Sequence, residues 1–291
     1  MTNTTDTTML RPVHGVLWMV FTGLNFVAVT VLVRQMGTDL PAVQSAFLRF
    51  AIGTLFLIPS FYALLRRRIA NGMMPFFLGR GVMHSAGVVL WFYAMARIPV
   101  AEVTAIGYLN PVLVIIGAGI FFKEKVAWWR YVAIGLALSG ALIILRPGFR
   151  ELGPGQLAQV VSAMFLAGSY LFGKRLSQTV SAGNVVVMLS FCVTLGLAPL
   201  AYVVWVAPTL WQLLSLTLVA GFATVGHFSM TRAFQSAPMA VTQPVAFLQL
   251  IWASAFGYVL FEESPDVFVL IGGFVIIASV TFIAWRSNVN T

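Results

Sequence analysis

Long apolar runs, each close to the length that crosses a bilayer, follow one another along the chain with only short polar breaks between them. They predict ten helices, over 13–33, 41–65, 75–96, 100–122, 128–145, 156–174, 182–206, 209–231, 239–261 and 267–285. The breaks carry turn chemistry: Gly37-Thr38-Asp39, Asn71-Gly72, Ile98-Pro99, Lys123-Glu124-Lys125, Arg146-Pro147-Gly148, Pro208 and Glu262-Glu263-Ser264-Pro265. From Leu176 to Thr231 there are 56 residues without an Asp, Glu, Lys or Arg, too many for one span, and Ala207-Pro208-Thr209 divides them. The first run is too long for a signal-peptide core and has no small-x-small site before Arg34, so it is read as a span.

Composition sharpens this reading. Of 291 residues 60% are apolar and 9% charged, with a mean hydropathy of +0.94. A water-soluble globule carries about 25% charged residues. Ten spans of roughly 20 residues occupy about two-thirds of the chain, which leaves no extramembrane domain with its own core and excludes a tethered soluble enzyme. The net charge of +9 belongs to membrane orientation rather than to nucleic-acid binding. On the N-terminal side stand Arg11, Arg66, Arg67, Arg68, Lys123, Lys125, Arg130, Lys174, Arg175, Arg232 and Arg286. On the other side stand Arg34, Arg97, Arg146 and Arg150. This asymmetry places both termini in the cytoplasm. Cys192 is the single cysteine and forms no intrachain disulfide.

An internal repeat adds mechanism. Shifted by 139 residues, 81–146 lies over 220–285 without a gap: Gly87 meets Gly226, Ala94 meets Ala233, Pro99 meets Pro238, Ala101 meets Ala240, Leu109 meets Leu248 and Glu124 meets Glu263. At a shift of 140, Gly15 meets Gly155 and Pro59 meets Pro199. The chain therefore divides into a tail, 1–12, a first five-helix unit, 13–147, and a second, 155–286. Two consecutive units with an odd number of spans enter the membrane from opposite sides. Such inverted repeats mark alternating-access transporters with a site at the repeat interface.

The residues also resemble a known family. Trp91-Phe92-Tyr93-Ala94-Met95-Ala96 leads through Ile98-Pro99-Val100-Ala101-Glu102 to Asn110-Pro111, then Phe121-Phe122-Lys123-Glu124, Gly135, Gly140 and Leu145-Arg146-Pro147-Gly148. This is similar to the drug/metabolite transporter superfamily, EamA type, and so are the copy from Ala233 to Arg286 and the Leu48-Arg49-Phe50 of the second helix. The resemblance covers about 13–286. It implies a ten-helix carrier of a bacterial-type inner membrane, usually an exporter, with its cavity between the halves. Two departures stand out in the second copy. Its proline is Pro244, with Leu250 opposite Pro111, and it reads Phe261-Glu262-Glu263 without the glycine often found before the glutamate.

Polar groups within spans are the candidates for transport chemistry. Arg49 has two readings, binding a substrate carboxylate or a structural role bonding backbone carbonyls, and it is assigned the structural one because the resembling arginine recurs across different substrates. Glu102, one turn past Pro99, is the carboxylate candidate for proton coupling. His84 and His227 are candidates for relaying a proton, or for packing, and His84 is also a candidate to line the substrate cavity. Glu124 and Glu263, in equivalent places, are assigned to structural pinning. Tyr108, Asn110 and Pro111, with Gln243, Pro244 and Gln249, form the expected cavity constellation, since a proline frees a carbonyl one turn earlier and amides both donate and accept. Trp18, Trp91 and Trp252 are expected to add cavity walls, with Tyr93 and Tyr170. No metal-ligand spacing, GxxxxGK[ST], HExxH or GxSxG occurs, and no cofactor is expected. The function read from these features is a secondary carrier exporting amino acids or related small polar metabolites, with the bilayer and a small-molecule substrate as partners, the proton as candidate coupling ion, and no nucleic acid. An uptake carrier or exchanger of the same fold is the alternative, and a channel or membrane scaffold the alternative of another class. The small residues Ala133, Ala137 and Ala141 permit close helix packing, and the oligomeric state stays open.

Overall fold

The structure is a computed structural model that describes residues 12–59, 72–121, 128–146, 151–177, 180, 182–236, 245, 248–264 and 266–289. These residues are helical throughout, with short connections. We label the helices α1 (Pro12–Met36), α2 (Ala42–Phe56), α3 (Met74–Met95), α4 (Val100–Gly107), α5 (Leu109–Phe121), α6 (Trp128–Leu145), α7 (Pro154–Ser177), α8 (Ala182–Val203), α9 (Leu210–Ser236), α10 (Leu248–Phe261) and α11 (Val267–Val289). Only Tyr108 separates α4 from α5. Counted as one broken span, they bring the helices to ten among the described residues, one for each apolar run.

Helices α1, α7, α9 and α11 run past the limits expected from hydropathy, through polar ends such as Arg34-Gln35 and Arg232. The i→i−4 ladder does not need apolar side chains, so it continues beyond the hydrophobic boundary. The run expected over 41–65 is instead interrupted at Leu57, with Ile58 and Pro59 again helical and 60–65 outside the described residues. Helix α2 ends at Phe56, where the Leu57 N–H bonds Thr54 O at 3.0 Å. Pro59 has no N–H for the Leu55 carbonyl and crowds it. Pro111 acts similarly in the fourth span. It cannot donate to Gly107, helix α4 stops there, and the Tyr108 N–H makes a tighter bond to Ala105 O at 3.2 Å. Pro41 and Pro99 stand just before α2 and α4 in extended geometry, and their carbonyls accept from Ser45 and Val103 at 2.9 and 3.0 Å.

Lipid is as apolar as a leucine side chain, so helix association in a bilayer rests on close contact and hydrogen bonds rather than on the hydrophobic effect. The main pairs are α3 with α7, α1 with α9, α6 with α11, and α2 with α8. Several contacts come in twos, offset by the 139–140 shift. A Cβ on Gly87 would stand 2.8 Å from Leu166, and one on Gly226 would stand 3.4 Å from Phe26. Gly87 pairs with Gly226 in the shift, and Phe26 with Leu166. The two glycines match because each lets α3 approach α7, or α9 approach α1. On α2 and α8 the hydroxyls of Thr54 and Thr194 touch at 3.1 Å, 140 residues apart. Each threonine also bonds its own helix, to Phe50 O and Ser190 O at 2.8 Å. Ala133, Ala137 and Ala141 are buried within the chain, beside the crossing where Gly140 meets Gly272 of α11. The outward faces carry large apolar side chains, among them Trp128, Tyr202, Leu210 and Val259. Val13–Met36, Pro154–Gly173, Gly183–Val203 and Leu210–Met230 are long and apolar enough to cross a membrane by length and composition alone.

Candidate functional site

Three groups of polar residues lie inside the bundle. The first is at the end where α1 finishes and α4 begins. Glu263 lies just past α10, where the chain reverses through Glu262 at φ 56 and the Glu263 N–H bonds Gly257 O at 3.1 Å. That turn aims the carboxylate at two partners. Oε1 accepts from Arg34 Nε, with Arg34 Nη2 also at 3.0 Å, and Oε2 accepts the Val100 N–H at 2.9 Å. Arg34 adds a bond to Ala96 O at 3.2 Å. One carboxylate thus links α1, α10 and the first turn of α4, whose exposed N–H groups favour a negative charge. Glu102 lies in that same first turn, 3% exposed, beside a cavity of about 160 Å³ lined also by Pro99, Ser254, Gly257, Glu263 and Asp266. Asp266 pairs with Arg146. The sequence assigned Glu263 to structural pinning but gave no sign of Arg34 as its partner. A partner 229 residues away leaves no local signal.

The second group lies at mid-bundle. Arg49 on α2 is 8% exposed, and its guanidinium stacks over the Phe50 ring at 3.8 Å. The His84 ring meets the edge of Phe50 at 5.5 Å, and its Nδ1 lies 3.2 Å from Ser169 Oγ of α7. One turn earlier on α3, Arg80 donates to Val185 O at 3.3 Å and lies against Gly173, where a Cβ would stand 3.2 Å from Cζ. Its Nε is buried without a hydrogen-bond partner. His227 of α9 packs edge-on against Phe26 at 5.1 Å. Both histidines lie within electrostatic reach of both arginines, and Tyr170 within reach of Arg80. Arg80 was not singled out as functional by its sequence. The i, i+4 spacing from His84, which sets both on one face of α3, was the available signal.

The third group surrounds the broken span. Tyr108, at the break, contacts the Leu250 backbone on α10 by a hydrogen bond. Asn110 is half-buried, with Nδ2 3.5 Å from Ala163 O of α7. Half-buried Gln249 faces Gly23 of α1, where a Cβ would stand 3.5 Å from the Gln249 Cβ. The offset relates Asn110 to Gln249 and Gly23 to Ala163, so the two amides occupy corresponding helix–helix seams. Pro111 lies in the first turn of α5. Glu124, Gln243 and Pro244 lie outside the described residues.

The aromatic candidates scatter. Trp18 packs against Phe21 and Phe228, both exposed on the outer surface. Trp91 is half-buried against the core and meets Phe92 edge-on at 6.2 Å. Trp252 stands on the exposed side of α10, whose inward face is Leu250, Ala253 and Gly257. No group of three metal-ligating side chains occurs among the described residues.

Comparison with known proteins decides the class. The EamA-like transporter family matches the chain twice, over residues 13–146 and 153–285. The chain belongs to the EamA-like transporter family. This EamA-like protein is 27% identical to the pseudopaline exporter CntI of Pseudomonas aeruginosa (strain UCBPP-PA14), covering 91% of this chain and 94% of that protein. It is 26% identical to an S-adenosylmethionine uptake transporter of Rickettsia bellii, over 94% of both. It is 29% identical to a riboflavin transporter of Rhizobium johnstonii, over 94% of this chain and 91% of the other. A solved crystal structure shares the fold at a TM-score of 0.60 and 15% identity, over 95% of this chain and 96% of that one. The EamA-like chain is thus a multi-pass membrane transporter of the drug/metabolite type, not an enzyme.

Proposed function

We propose that this EamA-like transporter is a secondary carrier that works by alternating access and exports amino acids or related small polar metabolites across a bacterial inner membrane. Its halves, 13–147 and 155–286, are inverted copies of one five-span unit, preceded by the tail 1–12, with both termini in the cytoplasm. The Thr54–Thr194 contact is the observation that carries this reading. Two copies related by a two-fold axis bring equivalent groups beside that axis into contact, and these two are equivalent under the repeat. The matched crossings at Gly87 and Gly226 and the double family match support the same arrangement. An axis of this kind allows one half to rock against the other around a fixed site.

The half-buried amides Asn110 and Gln249 are the polar groups of the substrate pathway in this reading, and Glu102, His84 and His227 are the groups available to a coupling proton. Direction follows from the gradients, since alternating access has none built in. Counterflow in proteoliposomes with labelled amino acids is the test. Flux above empty liposomes that falls in both Asn110→Leu and Gln249→Leu supports the carrier. A lost amide hydrogen bond at a poorly hydrated site costs about 1–3 kcal/mol, or roughly 5- to 150-fold in affinity. No flux of any amino acid or polar metabolite overturns the proposal. Single-channel currents would identify a channel instead.

A further inference from the structure

We infer that Arg49, with Arg80 on the adjacent helix α3, is a carboxylate-binding site within the bilayer, so that this carrier requires an acidic group on its substrate. The inference rests on the carrier reading and narrows its substrate class.

The argument starts from charge. Among the described residues, Glu102 is the one carboxylate on any helix. It lies in the first turn of α4, beside the cavity that Glu263 and Asp266 share. Helices α2, α3, α7, α8 and α9, which pack around the mid-bundle, carry none. Those same helices hold Arg49 and Arg80 with 8% and 9% of their surfaces exposed. A guanidinium stays charged at any accessible pH, and an ionised group taken out of water is very costly unless it is paired.

Arg80 is partly compensated by Val185 O. Arg49 is not. Among the described residues the ion pairs are Arg34–Glu263 and Arg146–Asp266, and the Arg49 guanidinium meets the face of its neighbour Phe50. Stacking leaves the edge of the guanidinium, with its N–H donors, unused. That edge binds carboxylates in a two-pronged fashion. His84, packed on the same Phe50 ring, brings no negative charge beside it. Charge selection follows. A cation or neutral amide beside Arg49 leaves its charge unneutralised, whereas an anion relieves it.

The test is thermal unfolding of the purified full chain in detergent, titrated with succinate and glutarate and with their uncharged diamides succinamide and glutaramide, then counterflow with the same compounds. The acids should protect, and the amides should not at tenfold higher concentration. Arg49→Gln should weaken protection by an acid at least about tenfold. Arg49→Lys should retain part of it, and Arg97→Gln, an exposed cation stacked on Tyr93, should retain all of it. If Arg49→Gln does not fold, Arg80→Gln and the acid-against-amide comparison on the unchanged protein decide. Equal protection by amides, unchanged affinity in Arg49→Gln, or no protection by any acid overturns the inference. Counterflow of polar solutes without preference for acids sinks this site and leaves the carrier standing. No flux of any solute sinks the carrier itself.

Discussion

Gly140→Ala probes the contact between α6 and α11. A Cβ at Gly140 would stand 2.7 Å from the Gly272 carbonyl oxygen, 2.9 Å from Ile276 Cγ1 and 3.2 Å from Ile276 N. The reciprocal Cβ at Gly272 would stand 2.5 Å from Gly140 O and 2.6 Å from Ile144 Cγ1. Close carbon–oxygen contacts lie near 3.3 Å, so α6 and α11 must separate by about 0.6 Å. Two of the obstructing atoms are backbone, so no rotamer change relieves them. Overpacking of this kind costs about 1–3 kcal/mol. Alanine, however, is about 1 kcal/mol better than glycine inside a helix. Gly135, on the same helix but its exposed side, has nothing within 4 Å of an added Cβ. Gly135→Ala therefore collects the propensity gain without the clash, and the difference between the variants isolates a steric cost of about 1–3 kcal/mol. Thermal unfolding followed by tryptophan fluorescence reads it, with Trp129 near the same seam, edge-on to Phe282 at 6.1 Å. If Gly140→Ala melts at or above Gly135→Ala, the close crossing is refuted.

Three further outcomes are expected. Glu262 is exposed and holds φ 56, a conformation that suits glycine, so Glu262→Gly should stabilise the fold by about 1 kcal/mol in the same melts; a loss would contradict the turn geometry. The Arg34–Glu263 side chains are 24% and 12% exposed, so a double-mutant cycle of Arg34→Gln and Glu263→Gln should give a coupling of about 1–2 kcal/mol, between the surface and buried extremes. Zero coupling would remove the clamp. Fully buried Gln44 accepts from Val206 N at 2.8 Å and donates to Val206 O at 2.6 Å, so Gln44→Leu leaves both backbone groups unmade and should cost about 2–3 kcal/mol, with faster proteolysis of the 204–209 connection. A leucine variant as protease-resistant as the parent would show that the connection does not depend on Gln44.

The missing glycine before Glu263 shows how far sequence reaches. It was visible as a departure from the family pattern, and the structure supplies its meaning: the position turns left-handed to aim Glu263 at Arg34 and the start of α4. The ten helices were legible because a span must be apolar for about 20 residues, and the break after Gly107 because Pro111 cannot donate a hydrogen bond. Membership of a transporter family followed from order and spacing, which act along the chain. Which polar group meets which was decided only in three dimensions. Nothing local joins Arg34 to Glu263, Gln44 to Val206 or Thr54 to Thr194, because these contacts form where helices distant in sequence cross. Arg49 makes the same point in reverse. Its charge and its place within a span are written in the sequence, but that no acid stands opposite it among the described residues is a property of how α2, α3, α7, α8 and α9 pack together.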